Sequence, residues 1–222
     1  MIQNFLSRIE NRYGRYRGIR NLMAVIVAGM AVTYLADLII GPIVGIYLSQ
    51  LFDFNRALIL KGQLWRMVTF VFTAPNQSGL FFILQLLFIY FTGNLLQNHW
   101  GVLRFNLFYF FGVGCTIIAG MFTGYATGYY LNLSLLLAVA ALYPSMQVNL
   151  YGILPIRIKW LALIELLLLL PGILHGTWAT RICILVSLLN VLLFMSDRLI
   201  TEIKEARRRR QWKNNWRSGK WR

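Results

Sequence analysis

Ser134 and His175 are the side chains through which this chain could perform nucleophilic chemistry. A serine hydroxyl attacks only when a base within hydrogen-bond reach takes its proton. The bland alternative is that Ser134 bonds back to its own helix and His175 is a solvated loop residue. Glu165, in Trp160-Leu-Ala-Leu-Ile-Glu165-Leu-Leu-Leu-Leu-Leu170, is a second candidate. A carboxylate at membrane depth costs about 3 kcal/mol to insert and is a default proton or cation site. Its expected partners are Asn132, Ser187 or Asn190, and a protonated Glu165 against lipid is the other reading. Asp37 falls near the end of an apolar run, where interfacial solvation accounts for it. Cys115 and Cys183 lie inside apolar runs without metal or disulfide spacing, so neither metal nor cofactor is expected.

These residues must be positioned by a chain of unusual balance. Of 222 residues, 58% are hydrophobic and 13% charged, yet the formal net charge is +15. A soluble domain carries about 25% charged residues, and a disordered basic chain is poor in apolar ones. A soluble enzyme, a secreted disulfide scaffold and a free-standing nucleic-acid module are all disfavoured. An integral multi-pass membrane protein fits.

A membrane span needs about 20 mostly apolar residues, fewer where neighbours bury it. Six segments qualify, near 21–41, 79–97, 103–123, 129–143, 158–173 and 180–196. They predict an all-α six-helix domain over 21–197, between a cytoplasmic amphipathic segment (1–20) and a basic, Trp-rich cytoplasmic tail (198–222). The first follows five arginines with no small-residue cleavage site after it, so it reads as a span rather than a signal. The fourth and fifth are short and need burial or a thinned bilayer. With both termini cytoplasmic, 18 of the 22 basic residues lie inside, and Arg56, Lys61, Arg66 and Arg181 lie outside. That obeys the positive-inside rule, and a bacterial plasma membrane is the expected location. Residues 42–78 form an outside loop too apolar for a floppy linker, suited to lying in the outer leaflet. In this topology Ser134 sits about 7 Å below the outer surface and His175 in an outer loop, so a Ser134–His175 dyad is topologically allowed. His99 lies at the inner end of the second span, on the wrong face for that chemistry.

The run Gly62-Gln63-Leu64-Trp65-Arg66-Met67-Val68-Thr69, the segment Gly93-Asn94-Leu95-Leu96-Gln97 and then Trp100-Gly101 with Arg104-Phe105 resemble the rhomboid superfamily. There a G-Q-x-W-R segment ends the first loop, and the second helix closes on G-x-x-L-E and W-G. Gln97 stands where the family usually has Glu. The run Leu142-Tyr143-Pro144 to Leu161 resembles the turn between the fourth and fifth helices. The resemblance covers roughly residues 20–196 and implies a six-helix bundle with a membrane-embedded first-loop hairpin. Beside it stands a physical reading. Trp65 suits the outer interface, and Arg66 has donors enough to satisfy loop carbonyls at lipid depth.

Rhomboid proteases use a serine in Gly-x-Ser-Gly on the fourth helix, a histidine on the sixth, and a histidine and asparagine on the second that stabilise the oxyanion. Ungapped counting places these near Tyr129, Ile184, Phe81 and Gln85, and the chain contains no Gly-x-Ser-Gly. Gln85 retains a hydrogen-bond donor, but the base is missing. The resemblance is thus to the non-proteolytic branch, the derlins and other rhomboid pseudoproteases, and implies binding of transmembrane clients or perturbation of the bilayer. A divergent protease using Ser134 and His175, and a small transporter centred on Glu165, are the alternatives.

Gly120, Gly124 and Gly128 recur every four residues, eight after Gly112, a spacing for close helix approach. Core packing is the default, homo-oligomer contact through Gly120 and Gly124 the alternative, and Gly128 also suits a turn. Ile2, Phe5, Leu6, Ile9 and Tyr13 follow the spacing of an interfacial amphipathic helix. The tail interleaves Trp212, Trp216 and Trp221 with basic residues, suiting anionic lipid, with nucleic acid the disfavoured rival.

Overall fold

A computed structural model describes residues 18–73, 79–150 and 154–195, together with Arg208. The expected amphipathic helix and, Arg208 apart, the basic tail lie outside the described residues. Apolar runs become helices α1 (Leu22–Ile39), α6 (Gly79–Trp100), α7 (Val102–Thr123), α8 (Gly128–Leu142), α9 (Ile158–Leu174) and α10 (Trp178–Met195). Between α1 and α6 lie four short helices, α2 (Gly41–Val44), α3 (Leu48–Phe52), α4 (Arg56–Leu60) and α5 (Arg66–Thr69), then a 3-10 turn at Phe70–Phe72. Four helices, α1, α6, α7 and α10, are long and apolar enough to cross a membrane. Their outward faces carry Val25, Val32, Leu87, Ile118 and Leu185, all exposed, which suits contact with lipid rather than water. The chain is a helical membrane protein.

The 15-residue α8 is the packing centre. Leu131, Leu133, Ser134, Leu135, Ala138, Val139 and Leu142 are all buried on it, so its length is not set by what lipid alone would require. Around it, Met23 of α1 lies against Gly93 of α6, and Tyr34 stacks on Phe82 with ring centroids 3.9 Å apart. Phe194 of α10 meets Trp100, Phe108 and Phe111. By contrast, α9 contacts mainly α8 and presents Ile164, Leu167, Leu168 and Leu174 outward.

The glycines divide by task. Gly112 faces Leu131 and Asn190, and Gly120 faces Phe54 and Ala126, so both surfaces are used inside this chain. Gly124 closes α7 at φ +86, and Gly128 opens α8, making the stretch between them the turn.

One element departs from the all-α expectation. The connection from α8 to α9 contains an antiparallel ribbon, β1 (Gln147–Leu150) on β2 (Leu154–Arg157), with Val148 opposite Ile156. Its base is tied by the Ile158 amide donating to Met146 O at 2.9 Å. Pro155 cannot donate to a ladder, which a two-stranded ribbon tolerates because each strand has a free edge.

Phe54 fastens the first loop to the bundle, buried between Gly120 and an edge-on Phe70. Phe54→Ala is expected to cost about 3–5 kcal/mol, and Gly120→Val about 1–3 kcal/mol by overpacking. The double variant should lose less than the sum, since both changes act on one contact. Thermal unfolding in detergent measures all three.

Candidate functional site

The five residues of α3 are too few to hold a helix alone, and its two ends are bonded from elsewhere in the fold. At its start the Ser49 amide donates to both carboxylate oxygens of Asp37, at 3.2 Å each. At its end Arg66 Nη1 donates to Gln50 O and to Asp53 O, each at 2.8 Å. Thr69 Oγ1 donates to Phe52 O at 3.2 Å. An acid at the amino end and a cation at the carboxyl end both oppose the helix dipole. Gln63 accepts from Arg66 Nε at 2.7 Å and fixes the guanidinium plane. Gly62, at φ +101, makes the turn that precedes it. Arg66 is 4% exposed while Trp65 beside it is 53% exposed. The expected carbonyl-binding arginine is therefore present beside an exposed tryptophan, and the Asp37 carboxylate accepts from the Ser49 amide.

Ser134 is fully buried. Its hydroxyl donates to Leu131 O at 2.6 Å, the back-bond of a helical serine, and receives Asn190 Nδ2 at 3.5 Å. His175 is the exposed last residue of the α9 end, bonded through its backbone amide to Pro171 O. The structure thus joins Ser134 to an amide on α10, not to His175. At the remaining family positions, Ile184 is buried against Leu133 and Leu169 and Phe81 is exposed. Gln85 Oε1 and Asn190 Oδ1 are buried without a hydrogen-bond partner among the described residues.

Glu165 has a partner other than those expected. Tyr129 donates its hydroxyl to Glu165 Oε2 at 2.9 Å, tying the start of α8 to the middle of α9. The expected partners make no such contact: Asn190 donates to Ser134, Ser187 bonds back to Ile184 O, and Asn132 Oδ1 is buried without a hydrogen-bond partner among the described residues. His99 Nδ1 lies 2.8 Å from Tyr143 Oη, where the carboxyl ends of α6 and α8 meet.

A cavity of about 270 Å³ opens between the first loop and the α7–α8 turn, lined by Gln50, Asp53, Asn55, Arg66, Tyr125 and Thr127 among others. Asn55 Oδ1 caps α4 through Ala57 and Leu58 amides, and Thr127 Oγ1 accepts from the Tyr129 amide. Among the described residues no acceptor takes Asn55 Nδ2 or the Thr127 hydroxyl, and both residues line the cavity. Burial pushes the Asp53 carboxyl above its ordinary value of 3.8, Arg66 opposes that, and Asp37 adds to it. Apart from Arg66, sequence reasoning missed this set. The N-cap signals at Asn55 and Thr127 were readable, but the meeting of two loops far apart in the chain was not.

No family model matches the chain, and neither a curated protein nor a solved structure matches it.

Hydrogen bonds to a charged group contribute about 1.5–3 kcal/mol each, so Arg66→Gln should cost about 3 kcal/mol or more and open the loop to proteolysis between residues 43 and 72. Limited proteolysis in detergent checks this. For Asp53, the folded protein holds its proton more tightly than the unfolded chain does. That stabilising contribution is present below the ordinary value and is lost as pH rises through the raised one. Asp53→Asn should therefore flatten the fall in melting temperature across that window and raise it slightly at neutral pH.

Proposed function

We propose that this chain is a rhomboid-like membrane pseudoprotease, of the non-proteolytic branch that includes the derlins. It binds transmembrane clients or locally perturbs the bilayer, without cutting peptide bonds. The observation that carries the reading is the first loop: Gly62, Gln63, Arg66 and Thr69, on which the resemblance rests, each have a structural task in fixing it. The buried hydroxyl of Ser134 supports the same reading. It faces Asn190, and an amide cannot serve as a base.

In this proposal α8 and α9 join the four long helices as spans, both termini are cytoplasmic, and the membrane is a bacterial plasma membrane. A 15-residue α8 rises about 22 Å at 1.5 Å per residue, against a hydrocarbon core of about 30 Å. That mismatch supports local bilayer perturbation. The basic tail adds attraction to anionic lipid.

A photoreactive residue at Leu64, exposed next to Trp65, should crosslink a transmembrane protein in native membranes. Reconstituted protein should leave transmembrane substrates uncut, with or without Ser134→Ala. Cleavage that Ser134→Ala abolishes would contradict the reading.

A further inference from the structure

The geometry points to the cavity between the first loop and the α7–α8 turn as a binding site for a zwitterionic phospholipid head group of the phosphoethanolamine class. Its phosphate would lie on Arg66 and its ammonium on Asp53. Nε and Nη1 of Arg66 are committed to Gln63, Gln50 and Asp53 main-chain or amide oxygens, and among the described residues Nη2 has no acceptor. The buried guanidinium thus keeps one edge available to the cavity it lines. Asp53, which lines the same cavity, contributes its main-chain oxygen to Arg66, and among the described residues its carboxylate accepts no hydrogen bond.

The opposite charges exclude simpler occupants. A metal cation meets the guanidinium, and a polyanion meets Asp53 with Asp37 behind it, since all three charges act on one another. A head group carrying both signs satisfies each wall at once, and the arriving ammonium adds a second positive charge beside the Asp53 carboxylate. The leftover donors of Asn55 and Thr127 add hydrogen bonds to phosphate oxygens, the chemistry by which neutral side chains hold phosphate. The surroundings select a lipid over a soluble zwitterion. Next to the lining residues in sequence stand exposed apolar side chains, Leu51 beside Gln50 and Trp65 beside Arg66, with Tyr125 itself exposed. A head group seated here would lay its acyl chains along that apolar surface.

The test uses the full chain, purified and stripped of lipid in detergent. It is titrated with phosphatidylethanolamine, phosphatidylcholine and phosphatidylglycerol of matched acyl chains. Glycerophosphoethanolamine and inorganic phosphate serve as tail-free competitors. Bound lipid is counted by native mass spectrometry, and melting temperature is followed in parallel. Phosphatidylethanolamine should bind about tenfold tighter than either other lipid. Arg66→Gln is uninformative alone, because it also unfastens the loop. Asp53→Asn keeps the main-chain oxygen that Arg66 needs, and it should bring phosphatidylethanolamine to parity with phosphatidylglycerol. Equal binding of the three lipids by the native chain, or an unchanged preference in Asp53→Asn, overturns the proposal. Displacement of the lipid by equimolar glycerophosphoethanolamine or inorganic phosphate overturns the lipid assignment.

Discussion

The bonding of both ends of α3 is the constraint on which the first loop and its cavity depend. A helix of one turn leaves most of its amides and carbonyls without internal partners, so residues elsewhere in the fold must supply them. Asp37 from α1 takes the amide of Ser49, while Arg66 and Thr69 from α5 take the carbonyls of Gln50, Phe52 and Asp53. With α3 fixed, Phe54 is delivered onto Gly120, and the loop is fastened to α7 as well as α1. The cavity exists because the loop is held there, facing Tyr125 and Thr127.

The same arrangement explains why a membrane protein with 13% charged residues places three of them together. Arg66 is costly to bury alone, and its donors meet oxygens of neutral groups, not a paired carboxylate. The Asp53 carboxylate takes no hydrogen bond from that guanidinium among the described residues, and burial outweighs the attraction of Arg66 to push it up. The interior of the bundle shows the opposite economy. Ser134 and Ser187 are buried and their hydroxyls turn back on their own helices, while the buried Asn190 amide donates across to Ser134. Such an interior suits close packing of α8 against α10 more readily than proton transfer.

How far the chain was legible follows from the range of each interaction. Hydropathy placed the six long helices to within three residues of each end that the described residues show, because lipid-facing runs are a local property. The carbonyl-binding task of Arg66 was readable from its chemistry, though not which carbonyls it would meet. The β1–β2 ribbon escaped notice because its strands are four residues each, too short for an alternating pattern to stand out. The Asp37–Ser49, Ser134–Asn190 and Tyr129–Glu165 contacts join residues 12, 56 and 36 apart in the chain. Only the packing of the helices decides such pairs, and no single-segment pattern contains it.

Amide hydrogen exchange across residues 43–72 of the full chain in lipid nanodiscs tests the fixed first loop most directly. The account predicts slow exchange at Ser49 and through α3, comparable to the bundle helices, and its release when Asp37→Asn weakens the amino-end contact. Rapid exchange throughout the loop of the unaltered chain would contradict it.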